Sequence, residues 1–220
     1  MRLLAIDTSL EACSVGISAG GSRVLASEVI GRGHAERLMG MIEAAMAEAG
    51  LGFAELDRIA VTVGPGSFTG LRVGIAAARG LALVVGCEMV GIGTLAVHAA
   101  SARAGAGRVS VFAALDARRD EIYGQLFAGD GAPLTEPAVG PVAAFLPQIG
   151  PDTLLAGSGA EIVANALGGG WQIVHRRSAP DLATLVGLAE IAPPSAAPPR
   201  PLYLRAPDAK PQAAARVARR

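Results

Sequence analysis

The residues with the most chemical potential fall in two short segments. Ile6-Asp7-Thr8-Ser9 closes an apolar run. A carboxylate at the end of a strand, followed by two hydroxyls, can orient water or metal and contact the phosphates of a nucleotide. The same residue types are ordinary turn formers, because their side chains bond nearby backbone. The second segment is Gly64-Pro65-Gly66-Ser67-Phe68-Thr69-Gly70. Its glycines permit positive φ and close backbone approach. Ser67 or Thr69 can cap a following helix, whose N-terminus can receive an anion. No Lys follows the last glycine, so this is not a Walker loop. A tight strand-to-helix connection is the plainer reading.

Other candidate groups are dispersed. His34, His98 and His175 are far apart in sequence, with no H-x-x-x-H pair, so no metal site is expected. No Ser-His-Asp set suggests itself, and no catalytic residue is assigned. Cys13 and Cys87 sit in apolar runs and read as small buried hydrophobes in a reducing compartment. Gly157-Ser158-Gly159-Ala160 reads as a strand-to-helix turn; in a second lobe it could also face an adenine or ribose.

The elements that must position these groups follow from periodicity. Strands are expected at 3–6, 12–17 and 24–30, joined by polar or glycine turns, and a helix at 34–49 ended by Gly50. A β-branched run at 59–63 reads as a buried parallel strand. A helix at 71–85, a strand at 89–92 and a helix at 94–102 follow. Three antiparallel strands followed by alternating strand and helix is the RNase H-like order, the repeated unit of the actin-like ATPase fold. After a small-residue break, strands are expected at 109–116, 121–128 and 153–156, and helices at 142–149, 161–167 and 181–191. The reading is therefore α/β with two RNase H-like lobes: 1–104, a smaller 105–200, and a C-terminal segment, 201–220.

Composition supports a well-filled core, with 51% hydrophobic and 17% charged residues among 220. Lys+Arg and Asp+Glu balance at 19 each, so net charge names no partner. From Arg200 onward there are six basic residues and one acid, a net of +5. That tail is either a solvated end or an electrostatic contact to RNA phosphates. Asp7 interrupts the first apolar run, against a secretory signal. Arg79 and Glu88 interrupt the most apolar stretch, against a membrane span. A cytoplasmic location follows.

The helix expected at 71–85 is apolar nearly all round, so it must be covered on two sides. One side suits the sheet. The other, with the Met-bearing stripe of the helix at 34–49, suits either a partner or the second lobe.

The sequence resembles the TsaB family. The likeness is carried by Leu4-Ala5-Ile6-Asp7-Thr8-Ser9, Ala12-Cys13-Ser14-Val15, His34 and the block Gly64 to Gly70 with Leu71-Arg72-Val73-Gly74. Gly91-Ile92-Gly93-Thr94-Leu95, Leu115-Asp116-Ala117-Arg118, Glu121-Ile122-Tyr123 and Tyr203-Leu204-Arg205 extend it along the chain. The resemblance implies a non-catalytic subunit that dimerises with TsaD, the related enzyme that transfers threonylcarbamoyl to adenosine 37 of tRNA. TsaD holds a metal with two histidines; the matching positions here are Thr94 and His98. It further implies a TsaE-like ATPase partner, tRNA contacted through the complex, and a homodimer when alone. No cofactor of its own is implied; ATP and metal belong to the partner subunits. The interface residues it points to are Leu38, Met39, Ile42, Met46, Arg72, Val73 and Ala77. Asp7, Thr8 and Ser9 are kept as a weak nucleotide site. The rival reading is an actin-like ATPase or small-molecule kinase. It needs a second acidic phosphate motif, such as Asp-x-Gly-Gly-Thr, and none is evident.

Overall fold

The structure, a computed structural model, describes residues 1–195 and 197–205. Its first sheet is built from β1 (Leu3–Asp7), β2 (Ala12–Ala19), β3 (Ser22–Val29), β4 (Arg58–Gly64) and β5 (Glu88–Gly93). They lie in the order β3-β2-β1-β4-β5. β1 pairs antiparallel with β2 and parallel with β4, setting Ile6 opposite Val15 and Val61. Strand alternation sends successive side chains to opposite faces. Leu4 and Ile6 meet α1 (His34–Glu48) and α2 (Phe68–Val85), whereas Leu3 and Ala5 meet α5 (Leu182–Ile191).

The second sheet repeats this plan. It contains β6 (Val111–Arg118), β7 (Glu121–Phe127), β8 (Ala138–Pro141), β9 (Leu154–Ala156) and β10 (Ile173–His175). Read from β8, the order is β8-β7-β6-β9-β10. β6 is antiparallel to β7 and parallel to β9, as β1 is to β2 and β4. Each sheet therefore carries the RNase H-like order, and the fold is the α/β, two-lobed, actin-like one. α4 (Ala160–Ala166) covers one face of the second sheet through Ala160 and Val163, packed with Phe112 and Leu155. α3 (Thr94–Arg103) is shared. Val97 faces the first sheet, and Leu95, Ala99 and Ala102 face the second.

Three local expectations change. Residues 142–149 form two 3-10 turns, Val142–Ala144 and Leu146–Gln148, instead of one helix. Strands β8 and β10 were not anticipated; both are short edge strands with weak periodicity. The span 105–200 is not one packing unit, because α5 returns to the first sheet. Its Leu182, Leu185, Val186 and Ala189 are buried there, and each large side chain contributes about 1.5–3 kcal/mol. Arg58 fixes its end, donating to the carbonyls of Ala189 and Ala192 at 2.7 and 2.8 Å while pairing with Glu88 at 2.7 Å. A guanidinium satisfies the unpaired carbonyls of a helix C-terminus well.

Among the described residues, α2 alone is long and apolar enough to cross a membrane, by length and composition only. Leu71, Ile75 and Ala78 pack it on the first sheet, and exposed Arg72 and Arg79 interrupt its outer side. In the basic tail, Lys210, Arg216, Arg219 and Arg220 lie outside the described residues.

Candidate functional site

Asp7 ends β1 and Thr8 and Ser9 begin the turn after it, and all three are buried, at 1%, 1% and 0% exposure. The Asp7 Oδ1 atom accepts from the Ser9 amide at 3.1 Å, the Ser9 hydroxyl at 2.6 Å and the Thr62 hydroxyl at 2.6 Å. Its Oδ2 is buried with no hydrogen-bond partner. Burial pushes the Asp7 carboxyl up, while the bonds from Ser9 and Thr62 and the charge of His34 pull the other way. The Thr8 hydroxyl donates to the carbonyl of Gly70 at 2.8 Å.

The glycine segment closes over this turn. β4 ends at Gly64, with φ 114°, and the Ser67 side chain caps α2 by accepting from the Gly70 amide at 3.2 Å. The Ser67 amide donates to the Ser9 carbonyl at 2.7 Å. A Cβ at Gly66 would lie 2.2 Å from the Ser9 oxygen, one at Gly70 2.1 Å from the Thr8 oxygen, and one at Gly74 2.4 Å from the Thr8 hydroxyl. The three glycines therefore bring the first two turns of α2 into direct contact with the end of β1. Backbone and hydroxyl groups that could have faced a phosphate are bonded to one another instead.

The second lobe repeats this closure. A Cβ at Gly157 would lie 2.2 Å from the Ala114 oxygen, and the Gly159 amide donates to that carbonyl at 3.0 Å. Ser158 accepts from the Asp116 amide at 3.1 Å. Gly157-Ser158-Gly159 is thus a strand-to-helix turn bound to the end of β6. Asp116, the counterpart of Asp7, is exposed and accepts from the Arg118 amide at 2.7 Å.

Two histidines meet despite their separation in sequence. His98 on α3 and His175 on β10 have ring centroids 5.4 Å apart. His98 Nε2 bonds the Ser178 carbonyl at 3.0 Å and is buried. Burial first, then the neighbouring His175, pushes its pKa down to about 3; burial also lowers that of His175. Both imidazoles are neutral at pH 7. Sequence spacing could not reveal this pair, because β10 delivers His175 through sheet pairing. Thr94, one helical turn before His98, is buried with its hydroxyl unpartnered. Among the described residues no three His, Cys, Asp or Glu side chains converge on a metal position.

The interface residues separate into two sets. Leu38, Ile42 and Met46 are at most 2% exposed and belong to the core under α1, so they are not available to a partner in this state. They are the inward stripe of an amphipathic helix, and the same periodicity that marks them as apolar turns them to the sheet. Met39 is 41% exposed, Arg72 is exposed, and Val73 and Ala77 are half-buried. The outer side of α2 carries Phe68, Arg72, Ala76, Gly80, Leu83 and Val84, all exposed. Leu83 and Val84 reach 85% and 86%. A recess of about 460 Å³ beside them is lined by Arg79, Ala82, Cys87, Met89 and Pro198 among others. Sequence reasoning missed Leu83, Val84 and Phe68, because a helix apolar on all sides does not say which side is left uncovered.

The family model described as "TsaD: tRNA N6-adenosine threonylcarbamoyltransferase" matches residues 25–162. The solved structure of YeaZ from Pseudomonas aeruginosa superposes with a TM-score of 0.75 at 33% identity, covering 92% of this chain and 99% of that one. The TsaB protein of Escherichia coli, named for tRNA threonylcarbamoyladenosine biosynthesis, is 41% identical over 123 residues, 56% of this chain. The chain belongs to the TsaB family. The match spans about half the length of the Escherichia coli TsaB, 53%. An uncharacterized protein of Mycobacterium tuberculosis (strain H37Rv) is 37% identical over 214 residues, 96% of this chain and 95% of its own.

Proposed function

We propose that this TsaB-family protein is a non-catalytic subunit of the machinery that places threonylcarbamoyl on adenosine 37 of tRNA. Its task is to bind a TsaD-like catalytic subunit through the outer faces of α1 and α2. The observation that carries the reading is the exposed apolar stripe of α2, with Met39 exposed on α1 as well. Large exposed apolar patches on a folded chain mark partner surfaces. The sealed turn at Asp7 supports the same reading, since the groups an actin-like ATPase would turn toward phosphate are spent inside the protein. The TsaE-like ATPase and tRNA join through the assembled complex, ATP and metal are held by the partners, and alone the chain pairs with itself through the same stripe.

The test is co-purification with a TsaD-like subunit. Ala76→Glu and Leu83→Glu place carboxylates on the exposed stripe, where they leave the fold intact. The expected result is loss of co-elution with an unchanged melting temperature. Unimpaired co-elution of both variants contradicts the interface.

A further inference from the structure

Two sheets packed on a shared helix need some device to fix the angle between them. The shared helix α3 supplies one tie, through Leu95, Ala99 and Ala102 against Val111 and Leu115. A second, separate tie is made by the chain after α5. Pro199 lies against the first sheet at Gly91, where a Cβ would come 2.9 Å from the proline Cβ. The Leu202 amide donates to the Val63 carbonyl at 2.7 Å, and the Leu202 oxygen lies 3.0 Å from where a Cβ on Gly64 would be. Tyr203 stacks on Phe68 at 4.9 Å, and its hydroxyl accepts from Arg72 Nε at 2.8 Å. The Arg72 guanidinium also sits 3.7 Å over the Phe68 ring. Two residues later the chain is on the other lobe. Arg205 donates to the Ala117 carbonyl at 2.9 Å and forms an ion pair with Glu121.

The landing point is distinctive. Ala117 and Glu121 flank the β6–β7 tip, where Arg118, Arg119 and Asp120 all have positive φ, at 60°, 55° and 60°. Arg118 pairs with Glu121, so Arg119 and Asp120 are a two-residue hairpin loop, in which positive φ at both positions is favoured, and Arg118 shares that conformation. The Arg205 guanidinium grips both sides of that tip. Gly64 and Gly91 leave the first lobe flat where the segment crosses.

We propose that residues 197–205 form a latch running from the carboxyl end of β4 to the carboxyl end of β6, which holds the two lobes at one angle and orders the β6–β7 tip. Because Tyr203 is seated on α2, the latch also ties that angle to the first turn of the α2 surface. The inference stands on these contacts and does not depend on the proposed function.

The experiment is hydrogen exchange on the full chain, read by mass spectrometry, with small-angle scattering in parallel. Leu202→Pro removes the amide that bonds Val63, and Arg205→Ala removes the grip on the tip. The double variant is expected to exchange at least tenfold faster across 116–123 and to scatter with a larger radius of gyration, while α1 and β2 keep their protection. Arg205→Ala alone is expected to loosen 116–123 without enlarging the molecule. Unchanged exchange at 116–123 in the double variant overturns the latch. So does a uniform loss of protection in α1 and β2, which would make the segment a plain part of the first core.

Discussion

Asp7 shows how a residue with catalytic credentials is turned to structural use. Its carboxyl is buried, triply bonded through one oxygen and bare at the other. A carboxyl whose pKa is raised by folding contributes stability that is full below its unfolded pKa and is lost as pH rises through the folded one. Asp7→Asn keeps one carbonyl oxygen as acceptor and is never charged. The variant is expected to be more stable than the parent at pH 8, and to keep full activity in a reconstituted modification complex. Urea unfolding at pH 8 and the modification assay check the two halves. A nucleotide-handling Asp7 would instead cost activity. His98 and His175 act in the opposite sense. Their folded pKa values are lowered, so their contribution is intact above the unfolded value near 6.5 and is lost as pH falls, toward about 3 for His98. The expected slope for His98 is up to about 1.4 kcal/mol per pH unit, and His175 adds in the same direction. Stability measured from pH 7 to 4.5 should fall less steeply in His98→Phe than in the parent. At this scale the sequence identified Asp7, Thr8 and Ser9 as a turn after a strand. It could not say that they face inward, because that depends on Gly66, Gly70 and Gly74 meeting them from another element.

The elements were legible where one periodicity dominates. β1 to β5 and α1 to α3 lie close to their sequence-based positions, since alternation, β-branched runs and helix-ending glycines all agree there. α2 is the instructive exception. Its length was readable, but its uniform apolarity hid which side stays bare. Two glycines on this helix should respond with opposite signs. Gly70→Ala forces a methyl to 2.1 Å from a backbone oxygen and is expected to cost about 3 kcal/mol or more. Gly80→Ala meets nothing within 4 Å and should gain about 0.5–1 kcal/mol from helix propensity. Thermal melts of the two variants check the pair. α5 was recognised as a helix, yet its return to the first sheet rests on Arg58 and on a strand-face complementarity that no local pattern encodes.

For the whole molecule, two RNase H-like lobes are legible in the sequence, but the full sheet order of the second emerges only in space, because β8, β9 and β10 are only three or four residues long. The two lobes share one closure chemistry, glycine turns bound to the end of the first strand, and one connecting helix. What differs is exposure: Asp7 is sealed and Asp116 is open. The surface left to work with is the α1–α2 face, and the function proposed for it is assembly. The most direct measurement is reconstitution of threonylcarbamoyl transfer to tRNA adenosine 37 from purified TsaD-like and TsaE-like subunits, with and without this chain. The account predicts at least a tenfold drop when the chain is omitted, full rate with Asp7→Asn, and no rescue by Leu83→Glu. Full-rate transfer in its absence, or transfer by the chain alone, would contradict it.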